Sequence, residues 1–132
     1  MRIKAVTFAG IAAGLLATPT LAHHSFSMFD FTKITTYEVT VKDFEWANPH
    51  AWLHVMVTEE DGKAYEWALE MGSINQIASG GWKQDSVKPG DKITVVVAPL
   101  KDGSRGGSYR SGTLANGQKV SNNGNRVNDT AQ

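Results

Sequence analysis

Three strand-like segments in direct succession, a short capped helix and two more strand-like segments make up the body of this sequence. That order predicts an all-β fold with one short helix, closed as a small OB-like five-stranded barrel. A break in the hydrophobic phase of the first segment fits the same fold, because an OB barrel bends its first strand to serve both halves of the sheet. A generic β-sandwich or an open α+β sheet is the alternative.

The first strand spans residues 35–46. Tyr37, Val39 and Val41 alternate with Glu38, Thr40 and Lys42, the period of a half-buried strand. Phe44 and Trp46 then take the even positions, so a β-bulge or a barrel corner must re-phase the strand. Asn48-Pro49 interrupts, since proline donates nothing to a ladder. The second strand spans 50–58, with Leu53, Val55 and Val57 on one face and His50, Trp52, His54 and Met56 on the other, unusually apolar for a wet face. Asp61-Gly62 signals a hairpin. The third strand, 63–70, turns Tyr65, Trp67 and Leu69 inward, and Glu66 and Glu70 outward as solubilising carboxylates.

Ser73 caps a helix over 74–78 that Gly80-Gly81 ends. Pro89-Gly90-Asp91 turns the chain into a fourth strand, 92–98. Residues 109–114 and 118–120 pair across an Asn116-Gly117 turn. The domain thus covers 35–120, preceded by an arm over 23–34 and followed by a polar, disordered tail over 121–132.

Composition narrows the function. Thirteen Lys+Arg balance thirteen Asp+Glu, which argues against a nucleic-acid partner. The lack of cysteine excludes disulfides, thiol catalysis and thiolate metal sites. Arg2 and Lys4 precede thirteen uncharged residues, 5–17, and the small-residue site Thr20-Leu21-Ala22. These are the three regions of a signal peptide over residues 1–22, and the run is too short to span a bilayer. Processing after Ala22 leaves no membrane span and a mature chain of 110 residues (132 − 22), with 11 basic against 13 acidic side chains. The periplasm is the expected destination, with secretion to the medium second.

The mature chain begins His23-His24-Ser25-Phe26. An N-terminal histidine offers its α-amine and its imidazole to one metal ion, and a further imidazole completes a three-nitrogen brace suited to copper. Near neutral pH the amine gives up its proton at modest cost. The expected ligands are His23, His24 and His50. His50 and His54 stand four strand residues apart, about 13 Å, too far to share an ion. His50 is the freer of the two beside the Asn48-Pro49 turn, and His54 reads as a packed side chain. Cleavage before Ala22 would make His24 the third residue of an amino-terminal copper motif. Met28 is a soft donor more often used in packing. On the competing account the histidines are solvated, Phe26, Phe29 and Phe31 pack an arm onto the barrel, and Trp52, His54 and Asn48 line a metal-free groove for a small molecule or protein. No nucleophile elbow, phosphate loop, zinc-protease or dinucleotide motif is present, so no enzyme is expected.

Residues 23–30, His-His-Ser-Phe-Ser-Met-Phe-Asp, and 44–52, Phe-Glu-Trp-Ala-Asn-Pro-His-Ala-Trp, carry a resemblance. The sequence resembles a family of exported proteobacterial proteins catalogued as a domain of unknown function, the 6152 type. The resemblance extends through Val87-Lys88-Pro89-Gly90-Asp91 and the glycine-rich stretch after Pro99. It implies export and a small β domain, and it carries no catalytic residue.

Overall fold

A computed structural model describes residues 26–124. After one 3-10 turn, Phe26–Met28, come β1 (Thr35–Glu45), β2 (Trp52–Thr58), β3 (Ala64–Glu70), α1 (Ile74–Ser79), β4 (Lys92–Pro99), β5 (Gly106–Thr113) and β6 (Lys119–Ser121). β1, β2 and β3 form an antiparallel meander, β1 also pairs with β4, and β4 pairs with β5. A short parallel ladder between β3 and β5 closes the ring, giving the five-stranded OB-type barrel with β6 added on β5. Among the described residues no helix is long and apolar enough to cross a membrane.

The phase slip in β1 is a bulge. Val41 pairs with Val55 and Asp43 with His54, so Lys42 is the additional residue. Alternation on β2 then separates two faces. Leu53, Val55 and Val57 are buried in the barrel with Val39, Val41, Leu69, Ile93, Val95 and Val97, while Trp52, His54 and Met56 lie outside and half-buried.

The end of the barrel at the start of β2 is plugged by α1 and by Trp82 just beyond it. Ser73 and Gln76 form a reciprocal capping box, and Ile77 is fully buried. Trp82 is buried between Phe44 and Tyr109, at ring separations of 5.1 and 5.6 Å. The Tyr109 hydroxyl donates to the Val120 carbonyl at 3.1 Å, and burial pushes its pKa up. Trp67 is expected to point inward, and Trp46 lies just past the re-phased end of the first strand. Both are only partly buried against the barrel core, and Trp82 is the fully packed indole.

Two boundaries differ from expectation. β2 begins at Trp52, because Ala51 turns aside to bond with Met71 and Gly72, leaving His50 ahead of the strand. Residues 121–124, expected to open a disordered tail, are fastened down: Ser121 N–H donates to Gly80, Asn122 N–H to Arg110, and Gly124 N–H to the Ser79 hydroxyl. The Asn122 side chain in turn accepts from Gly72 N–H at 2.6 Å. Local polar composition missed these bonds because they are made to α1 and β5. The remaining tail and the expected signal peptide lie outside the described residues.

Of the arm, Phe29 is buried and bridges Leu100, flanked by bonds from Asp30 N–H to Pro99 and from Lys101 N–H to Met28. Phe31, expected to pack, is 38% exposed and meets Phe29 edge-on.

The start of β5 depends on glycine where it passes between β3 and β4. Gly106 has φ +148°, and a Cβ there would stand 2.6 Å from the Ala68 carbonyl oxygen. At Gly107 it would stand 2.4 Å from the Ala98 carbonyl oxygen. Gly107→Ala is therefore expected to cost about 2–3 kcal/mol in urea unfolding, by overpacking, whereas exposed Lys101→Ala should change stability by less than about 0.5 kcal/mol.

Candidate metal and ligand site

The outer face of β2 is flanked by carboxylates on both neighbouring strands. Trp52 is paired across to Glu45 on β1 and Glu70 on β3, His54 to Asp43 and Ala68, and Met56 to Thr40 and Glu66. His54 is not the simply packed side chain expected. Its Nδ1 lies 3.3 Å from Glu66 Oε1 and its Nε2 3.5 Å from Glu45 Oε2, with the side chain 23% exposed. Glu66 is also held by Lys42 from the bulge, whose ammonium is the main cause that lowers its pKa below the ordinary value; His54 adds to this.

His50 is held differently. Its Nδ1 lies 2.9 Å from the Met71 carbonyl oxygen and 3.5 Å from Glu70 Oε1. A carbonyl only accepts, so Nδ1 carries the proton and Nε2 of the neutral ring keeps its lone pair. A backbone oxygen and a carboxylate behind one nitrogen, with the other left as donor, is the usual setting of a metal-ligating histidine.

Glu70 was expected to be a solubilising surface group, yet its side chain is only 10% exposed. The signal was present in the sequence: a tight Asp61-Gly62 hairpin pairs Thr58 with Ala64 and so brings Glu70 beside Trp52. Asn48 does not line a groove with Trp52. Its Oδ1 accepts from Ile74 N–H at 2.9 Å, satisfying an orphan donor of α1, and its bond to Pro49 is cis. A cavity of about 500 Å³ lies farther along, where Met56 and Thr40 meet Glu38, Lys92 and Thr94; neither Trp52 nor a histidine lines it.

Among the described residues no three His, Cys, Asp or Glu side chains converge to hold a metal. His23 and His24 lie outside the described residues, so a brace at His50 needs the arm to bring them. The strand register fixes what that demands. Phe29 sits beside Leu100, whose neighbours run through β5 and β3 to the row of His54. Four inter-strand steps make about 19 Å, and His50 lies about 13 Å farther along, toward the other end of the barrel. The six residues from 23 to 29 would reach about 20 Å if all were extended, and the 3-10 turn at Phe26–Met28 shortens that, at about 2 Å per residue in the turn. His23 therefore attains the row of His54 more readily than His50. Within one chain, closure on His50 requires the 3-10 turn at Phe26–Met28 to open and the arm to run back along the barrel at full stretch.

Two outcomes are expected from these contacts. Asn48→Ala should lower stability by about 1 kcal/mol in thermal or urea unfolding, through loss of the bond to α1. Lys42→Met should raise the Glu66 pKa toward the ordinary value of 4.5 in a side-chain carboxyl NMR titration. The lowered value stabilises the fold above pH 4.5 and is lost as pH falls through it, so the variant should also show a weaker decline of stability on acidification.

No curated protein and no solved structure matches the chain. A family model does match, over residues 12–111, about three-quarters of the length, which takes in β1 to β4, α1 and most of β5. On that match the chain belongs to a family of unknown function, DUF6152.

Proposed function

We propose that this chain is an exported, non-catalytic β-barrel protein that binds Cu(II) in the periplasm. Processing after Ala22 frees the His23 α-amine, which with the His23 imidazole chelates the ion; His50 supplies the third nitrogen, and His24 is auxiliary. Export rests on the charged, apolar and small-residue regions of residues 1–22. The observation that carries the metal reading is the setting of His50. Its Nδ1 proton is committed to Met71, Glu70 stands behind it, and Nε2 is left as a donor. Amine and imidazole nitrogens select copper among the divalent ions.

A second reading has its own support. Trp52 is half-buried on the outside of the barrel and belongs neither to the core nor to any ring pair described. The outer face of strands 2 and 3 is where OB barrels take their ligands. A metal-free periplasmic module would use that face.

Copper titration of exported protein separates the two. Chain beginning at His23 should bind Cu(II) about tenfold or more tightly than chain carrying an added N-terminal Met, and affinity should fall as pH drops through the amine and imidazole range. His50→Ala should weaken binding more than His54→Ala, and Glu70→Gln should cost about tenfold. Equal affinity with and without the added Met removes the brace. Loss with His54→Ala but not His50→Ala moves the third ligand to the row the arm reaches more easily.

A further inference from the structure

We propose that the outer face of β2 binds linear aliphatic polyamines, with an ammonium group seated against Trp52 between Glu45 and Glu70. The inference concerns the face that the second reading uses and is independent of copper. Its first observation is Trp52, which is half-buried on the outside of the barrel and whose two cross-strand partners are both glutamates. A tryptophan face with carboxylates on either side is the arrangement that attracts an organic cation, through the ring quadrupole and through charge.

The second observation is Glu70. Its side chain is nine-tenths buried and accepts no hydrogen bond among the described residues. The nearest group able to carry positive charge is His50, 3.5 Å away, whose Nδ1 proton is already directed at Met71. The Glu70 oxygens are not sealed from solvent as the unpartnered Trp82 Nε1 is, so an arriving ammonium can reach them and supply three N–H groups.

The charge pattern continues along the strand. Asp43, Glu45, Glu66 and Glu70 stand beside the Trp52, His54 and Met56 rows, with Lys42 as the one lysine among them, already engaged by Glu66. Successive rows are about 7 Å apart, a spacing that ammonium groups on short polymethylene chains can follow, with Trp52 and Met56 under the methylenes. β2 is paired on both sides, so it offers no edge to which a peptide could add as a strand. Recognition there is confined to side chains, which suits a flexible polycation better than a peptide backbone.

The test uses spermidine titrated into the Met-extended chain, whose added residue disables the copper chelate, in buffer stripped of transition metals beforehand and free of chelator, followed through the Trp52 indole N–H in ¹H–¹⁵N spectra at physiological salt. The expected result is saturable binding that shifts the Trp52 indole, at least about tenfold tighter than butylamine or Mg²⁺. Trp52→Ala and Glu70→Gln should each weaken it about tenfold, and Trp52→Phe less, with unchanged thermal melts showing that the variants fold. Equal affinity for spermidine, butylamine and Mg²⁺ would overturn the proposal, as would spermidine binding in which the Trp52 indole does not shift. Tighter binding of tetralysine than of spermidine would overturn it in favour of a basic peptide. Copper binding by the unextended chain is unaffected by any of these results, so the two readings fail separately.

Discussion

Closure at the β3–β5 seam governs most of what this molecule can do. The ladder is three residue pairs long, Ala68 with Gly106, Leu69 with Gly107 and Glu70 with Ser108, and it joins strands that would otherwise be the open edges of a curled sheet. The approach of β3 excludes a Cβ at Gly106, and the approach of β4 excludes one at the adjacent Gly107. β2 lies between β1 and β3, hydrogen-bonded on both sides, and closing the ring gives its two faces an inside and an outside. Leu53, Val55 and Val57 fill the interior, and Trp52, His54 and Met56 are committed to the outside, whatever their apolar character. The same ladder seats Glu70 at the place where β3 hands over to α1.

The outer face is therefore a consequence of packing inside, and its electrostatics come from strand register. Each histidine near β2 has a glutamate close to its Nδ1: Glu66 for His54 and Glu70 for His50. They differ in what meets Nε2. At His54 a second carboxylate, Glu45, stands at 3.5 Å, and the side chain is 23% exposed; the His50 side chain is 46% exposed. Pairs this open to water contribute little to stability, so their value lies in positioning. A carboxylate behind an imidazole fixes its tautomer and ring orientation, which leaves the far nitrogen positioned as a donor to a metal.

The sequence made the barrel legible because its strong signals are local. The phase slip at Lys42, the Asp61-Gly62 and Asn116-Gly117 turns and the Ser73 cap each appear where expected. What escaped was set by contacts distant in the chain. Asn48 caps a helix 26 residues away, so its neighbours in sequence made it look like part of a groove. Asn122 reaches Gly72 across 50 residues, so a polar tail looked unstructured. Glu70 alternates correctly as an outward residue, yet the handover from β3 to α1 and the approach of His50 bury it. Trp82 comes after a glycine pair outside any periodic segment, where no pattern marks a core residue, and it became the packed indole of the helical end.

The arm ties the packing of the barrel to the chemistry of its outer face. Phe29 is pinned at the end of the barrel where β4 stops and β5 starts, while His50 lies at the opposite end, where β2 begins. A chelate at the extreme N-terminus can form with no barrel at all, because His23 carries both nitrogens. On the proposed copper reading, what the barrel would add is a choice of third ligand, set by competition between chemistry and reach: the His50 Nδ1 contact leaves Nε2 clear, and His54 lies in the nearer row. Ordering the arm costs conformational entropy of about 1–2 kcal/mol per residue whichever histidine it meets, so His50 would prevail only if its bond to copper exceeded the bond His54 would make by more than the additional ordering its greater distance demands. A tether that short cannot serve both. Copper held at the barrel and an organic cation held at Trp52 would also meet on one acidic face, each reducing the negative charge that attracts the other, so occupancy of the two is coupled through charge without any movement of the fold.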